Sequence, residues 1–190
     1  MIEPSTTRLQ LRQWRAADRA PFAAMVADPA VMRYFPAPLS RAQSDAMADK
    51  CEALIAERGW GIWAVERKQD QRFIGFVGLH IPQDPLPFLP CVEVAWRLAR
   101  DAWGQGYATE AAIASLAAGF GPLQLPEIVA FTTRTNLPSQ AVMQRLGMVR
   151  DLAADFDHPA LPETHALRPH VLYKIGAERF AALHPNARSL

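Results

Sequence analysis

The spacing of apolar positions changes period along the chain, and each change marks an element. Leu9 and Leu11, with Gln13 less cleanly, alternate over residues 7–14 and predict an edge strand. Phe22, Met25 and Val26 then recur at helical spacing over residues 18–27. The run "DPAVMRYFPAPLS" holds three prolines and two aromatics and predicts a loop. Ser40 opens a second helix, with Gln43 placed for a capping box, Met47, Cys51, Leu54 and Ile55 as its apolar stripe, and Gly59 as its end. "GIWAVE" and "RFIGFVGLH", joined by the polar turn "RKQDQ", predict a hairpin. The proline-rich "IPQDPLPFLP" separates it from a further strand, "CVEVAWRLA". A helix follows over residues 106–119, with Ile113, Leu116, Ala117 and Phe120 on one face. "EIVAFTT" predicts a strand, "LPSQAVMQRLG" a short helix closed by Gly147, and "MVRDLAADFDH" and "RPHVLYKIG" two last strands around a proline-containing loop. No repeat, low-complexity segment or linker interrupts this order. The expectation is one α/β (α+β) domain over residues 1–190, a mixed twisted sheet of about six or seven strands flanked by about four helices.

Composition narrows the function. Of the 190 residues, 50% are hydrophobic and 21% charged, as in a soluble globular protein. Lys and Arg total 20 against 19 Asp and Glu, so bulk charge gives no reason to expect nucleic acid or an anionic membrane as partner. Cys51 and Cys91 form no Cys-x-x-Cys pair, which argues against a disulfide framework or zinc site and for a reducing, cytoplasmic setting. The N-terminus shows no apolar signal region, and no window approaches the length of a membrane span.

The chemistry concentrates in "RDAWGQGYATEAA", residues 100–112, where two glycines precede a helix. A helix start offers unbonded N–H groups and a partial positive charge, and glycines let an anion come close. A Walker loop fails because no Gly-Lys-Ser/Thr follows. A dinucleotide turn fits poorly: Thr109 stands where the third Gly or Ala belongs, and Glu127 begins the next strand rather than ending it. A tight turn with no ligand is the bland alternative.

A larger pattern decides among them. "VEVAWRLARDAWGQGYATEAA" resembles motif A of the GNAT acetyltransferase superfamily, a strand leading through Q/R-x-x-G-x-G/A into a helix. "NLPSQAVMQRLGM" is similar to the family's N-x-x-[AS] helix, and both motifs together look most like the branch of ribosomal-protein N-terminal acetyltransferases. The order of elements extends the resemblance over nearly the whole chain. Asp101 departs from the first motif position, and Met143 stands where many members carry an acidic tyrosine.

The resemblance implies acetyl-CoA as co-substrate. Gly104, Gln105, Gly106, Tyr107, Ala108 and Thr109 would form the pyrophosphate turn, and Trp96, Arg97 and Leu98 would offer backbone groups to the pantetheine arm along a splayed strand. Asn136 would bond that arm, besides capping its helix. Ser139 would hydrogen-bond the departing thiolate. Glu93 is either the base that deprotonates the acceptor amine or a structural carboxylate. Tyr34 and Phe35 in one loop would flank the acceptor; for the charged segment 155–170, whose spacing suits no metal site, solvated loop charge is the default reading, and its rival is an acceptor-recognition loop using Asp155, His158, Arg168 and His170.

The function expected is acetyl transfer to a primary amine by direct attack in a ternary complex, since no cysteine lies in a nucleophile context. The acceptor is a small molecule or a peptide, with amino-acid-like or N-terminal peptide amines ranked above polyamines; neither nucleic acid nor membrane is expected, and the protein would be a monomer or homodimer. The rival is a GNAT-fold sensor that binds acyl-CoA without transfer.

Overall fold

The computed structural model describes residues 1–189. Its strands are β1 (Leu9–Arg12), β2 (Ile62–Arg67), β3 (Arg72–His80), β4 (Glu93–Leu98), β5 (Glu127–Thr133), β6 (Val149–Arg150), β7 (Phe156–Asp157) and β8 (Pro169–Gly176). Its helices are α1 (Arg19–Ala27), α2 (Arg41–Arg58), α3 (Tyr107–Phe120), α4 (Leu137–Arg145) and α5 (Ala177–Leu183). The strands form one sheet in the order β1-β2-β3-β4-β5-β8-β6, with β7 also paired to β8. Its β4–β5 pair is parallel and the others are antiparallel, giving the mixed sheet expected.

Most elements follow their local signals. Ser40 and Gln43 exchange capping bonds at the start of α2, and Gly59 closes it. The buried side of α2 is Ser44, Ala48, Cys51 and Ile55, with Met47 only half-buried at its margin. β1 is an edge strand, shorter than the alternation suggests; it ends at Arg12, whose side chain pairs with Asp18 at 2.7 Å and Glu66 at 2.8 Å. The expected strand after Met148 is broken by a 3₁₀ turn, Leu152–Ala154, into the two-residue pieces β6 and β7. The fifth helix, α5, lies beyond the four expected; it buries Phe180 against Phe120, 5.2 Å between ring centres.

Register assigns the two faces of the sheet. His80 pairs with Glu93, Phe76 with Arg97 and Glu93 with Val129, so His80, Phe76, Glu93, Ala95, Arg97, Val129 and Phe131 share one face. Phe22 of α1 packs on Phe76 at 5.9 Å, which puts α1 on that face. The other face carries Leu79 and Ile128, which lie against Gly119 of α3. α1 leaves the β4–β5 end of its face to loops, and there the site forms.

Candidate active site

The turn before α3 is built to expose backbone. Gly104 and Gly106 adopt left-handed φ values of 72° and 78°, a conformation that costs an L side chain about 1–2 kcal/mol. No side chain caps α3. Within the helix, the N–H of Glu110 bonds the carbonyl of Gly106 at 3.1 Å, so the amides of Tyr107, Ala108 and Thr109 have no helical acceptor. The dipole adds partial positive charge at the same point. Arg8 fixes this end: it donates to the Gln105 carbonyl at 3.0 Å, pairs with Glu110 at 2.5 Å and lies over the Tyr107 ring at 4.6 Å. Thr6 adds a hydrogen bond to Glu110 at 2.6 Å. Burial alone would raise the Glu110 pKa; the bonds from Thr6 and Arg8 outweigh it and hold the carboxyl below its usual value. Asp101, the acidic departure from the motif, is matched by Arg72 at 2.6 Å. Both acids near the turn therefore have cationic partners.

Beside the turn the sheet opens. β4 and β5 share one register pair, Glu93 with Val129, and the bond from Val129 N–H to the Val92 carbonyl is 2.9 Å. Alternation from Val92 directs the backbone groups of Trp96 and Leu98 toward the gap and those of Arg97 toward β3. The indole of Trp103 takes the Leu98 carbonyl at 2.9 Å. The N–H and C=O of Trp96 and the N–H of Leu98 therefore line an opening between β4 and β5. Arg97 departs from the expectation: its main chain belongs to the β3 ladder, and its side chain lies on the sheet face carrying Glu93, against Phe35.

On the α1 face of this opening, the carboxylate of Glu93 meets His80 Nε2 at 2.7 Å. Glu93 is only 7% exposed, whereas the His80 side chain is about a third exposed at 34%. Burial works against the imidazolium, but attraction and the hydrogen bond from Glu93 outweigh it, so the His80 pKa stands above its usual value. The opposite lip is aromatic. Phe131 of β5 packs with Phe88 and Phe156, each at 5.7 Å, and His158 and His170 join this cluster, 4.9 Å apart. His170 Nδ1 donates to the Arg168 carbonyl at 2.9 Å, and burial, with His158 beside it, keeps the His170 pKa low.

A family model described as "Acetyltransferase (GNAT) domain" matches residues 8–149, from the arginine that fixes the turn to the start of β6. The chain belongs to the GNAT acetyltransferase family. Among curated relatives, the uncharacterized protein YkkB of Bacillus subtilis is 32% identical over 146 residues, 75% of this chain and 83% of its own. The uncharacterized N-acetyltransferase YnaD of the same organism is 27% identical over 148 residues, 77% and 82% of the two chains. A solved GNAT-family acetyltransferase from Bacillus anthracis shares the fold with a TM-score of 0.78 at 24% identity, covering 93% of this chain and 99% of that one.

Within this GNAT chain the expected site residues divide. Gly104 to Thr109, Trp96, Leu98 and Glu93 come together around the opening. Asn136 caps α4, accepting from the Ser139 N–H at 3.2 Å while donating to Thr132 at 3.0 Å. Ser139 lies half-buried in the first turn of that helix. Met143 is 1% exposed and packs in the core. Phe35 reaches the cleft by stacking on Arg97, but Tyr34 lies instead against Arg33. Asp155 pairs with Arg150 at 2.6 Å, and Arg168 is tied to the Leu161 carbonyl at 2.6 Å and to Asp157 at 3.4 Å. These two residues hold their own loop, because partners lie a few residues away in the chain. His158 and His170 do reach the aromatic lip. Sequence reasoning missed Arg8, His80 and the cluster of Phe88, Phe131 and Phe156. The available signal was a histidine closing the apolar run "FIGFVGLH" opposite an acid that opens the next strand. Among the described residues, no group of His, Cys, Asp and Glu could hold a metal ion, and no helix is long and apolar enough to cross a membrane.

Proposed function

We propose that this protein moves the acetyl group of acetyl-CoA to a primary amine by direct attack in a ternary complex. The observation that carries the reading is one juxtaposition: an uncapped helix start and the gap between β4 and β5 on one side, and the Glu93–His80 pair facing that gap on the other. The amides of Tyr107, Ala108 and Thr109 would hold the pyrophosphate, which fits both their charge and the backbone shape at Gly104 and Gly106. Trp96 and Leu98 would bond the pantetheine amides, and Asn136 would contribute from α4. A free Trp96 or Leu98 N–H could also polarise the thioester carbonyl.

An alkyl ammonium has a pKa near 10 in water, so a proton must leave before attack. Glu93 and His80 would take it as a unit, the proton being shared along their 2.7 Å contact. The thiolate that departs has a pKa of about 8.5 and leaves without a strong acid. Ser139 would donate a hydrogen bond to it, which suits a site where Met143 replaces a phenol. The name borne by YnaD supports nitrogen as the acceptor atom. The free thiols of Cys51 and Cys91 suit a reducing compartment.

Thioester consumption with a panel of amines tests the reading. Glu93→Gln keeps the shape but removes the charge, and turnover at pH 7 is expected to fall about 10²-fold, recovering partly at high pH where more amine is neutral. Wild-type turnover in that variant would assign the carboxylate to structure. Tight CoA binding with no amine consumed would favour a sensor.

A further inference from the structure

Arg97 is a half-buried cation for which, among the described residues, the fold supplies no anion. Its guanidinium lies 3.8 Å over the Phe35 ring and 5.3 Å from the Phe76 centroid, while its Nε is sealed from water and bonds nothing. The other sheltered arginines are treated differently. Arg12 has Asp18 and Glu66, Arg19 has Asp49 and Glu52, and Arg67 has Asp70. Among the described residues, no carboxylate pairs with Arg97. Burial pushes its pKa down to about 10, which still leaves it charged at neutral pH. A desolvated guanidinium with an unused N–H is costly unless something else completes it.

The surroundings say what that would be. Arg97 shares its sheet face with Glu93, and Ala95 lies between them with only a methyl group. A strand advances about 3.3 Å per residue, so the two α-carbons are about 13 Å apart and both side chains can lean over Ala95. The charges near this place include Arg97 and the Glu93–His80 pair, with exposed Lys50 of α2 within electrostatic reach of both His80 and Cys51. Glu93 already has its partner, and burial pushes the Cys51 thiol up to about 11, so it adds no negative charge at neutral pH. The cleft thus holds a surplus of positive charge. With Phe35 against the guanidinium and Nε sealed, the terminal Nη groups remain as the fork that can match a planar carboxylate.

We propose that Arg97 forms a carboxylate subsite, and that the acceptor is a small amine bearing a carboxylate, as an amino acid or short peptide does. This rests on the acyltransferase reading and names its substrate class. It gives to Arg97 the role that sequence reasoning gives to Arg168, whose Nη1 and Nε are turned to the Leu161 carbonyl and Asp157 of its own loop. The amine would meet the Glu93–His80 pair while the carboxylate meets Arg97. A polyamine would bring cations to cations.

Two measurements test it. The first compares free amino acids and dipeptides with their C-terminal amides as acceptors. Wild-type protein is expected to favour the acids by about tenfold or more in kcat/KM, the scale of a charge-assisted hydrogen bond, and Arg97→Gln to abolish the preference while leaving the CoA Kd unchanged. The second needs no turnover: in the CoA complex, the Arg97 Nε–H resonance, identified by its loss in Arg97→Lys, is followed during titration with N-acetyl amino acids and with their amides. The acids should shift it and the amides should not. Equal shifts, no shift from either, or an equal loss of both acceptor classes in Arg97→Gln would show that Arg97 only anchors the Phe35 loop. Absence of CoA binding in the wild type would instead sink the acyltransferase reading.

Discussion

Replacing Gly106 with alanine separates two demands on one residue. A Cβ there meets only the Arg8 guanidinium, at 3.5 Å, an ordinary contact, so no protein atom is displaced. The folding cost is then the left-handed backbone at φ 78°, about 1–2 kcal/mol. For a domain of this size each kcal/mol lowers Tm by about 2–4 °C, so a fall of about 2–8 °C is expected. The binding cost is separate. The new methyl group stands over the uncapped α3 start, where a diphosphate would have to retreat from amides that form hydrogen bonds worth about 1.5–3 kcal/mol each with a charged partner. Loss of one such bond weakens CoA about tenfold or more. Calorimetry with CoA and a thermal melt, on the same preparation, read the two effects. A variant that melts as expected yet binds CoA within twofold of wild type would show that the pyrophosphate does not lie over this turn.

Three further outcomes follow from the geometry. His80 has a folded pKa above its unfolded value of about 6.5, so its contribution to stability is complete below that pH and is lost as pH rises through the folded pKa; Tm against pH should show this loss in wild type and little of it in Glu93→Gln, and identical profiles would refute the coupling. Burial raises the Cys51 and Cys91 thiols to about 11, so a cysteine nucleophile is not expected: Cys51→Ala should retain turnover, and its inactivity in a folded protein would reopen a covalent route. Asn136→Ala removes the cap of α4 and should cost about 1 kcal/mol by chemical denaturation; a CoA Kd that weakens as well supports its second role, and an unchanged Kd leaves it a cap alone.

The elements assigned to the donor side under the proposed function were legible because they are contiguous. The glycines, the helix start and Asn136 with Ser139 each act through backbone within a few residues, so spacing alone carries the information. The acceptor side is assembled by register. His80 meets Glu93 only because β3 and β4 pair with that offset, and the orientation of Arg97 depends on a bond between Val129 and Val92. Neither is written in local periodicity. The charges of segment 155–170 left two readings open for the opposite reason: Arg150 and Asp157 lie near enough in the chain to engage Asp155 and Arg168 locally. Helix α5 escaped because Gly176 provides no side-chain cap to announce it.

The clamp at Arg8 has a consequence for how the chain reaches its working state. Arg8 and Glu110 are 102 residues apart, yet their contact orients the turn before α3. Contacts this distant in sequence close a large loop and are slow to form relative to helices and hairpins. During refolding, β2, β3 and α3 can be in place before the first strand docks and brings Arg8 to the turn. The ability to hold a nucleotide-linked thioester should therefore arrive among the last events, after most secondary structure has returned. Incompletely folded chains would then neither capture the donor nor expend it.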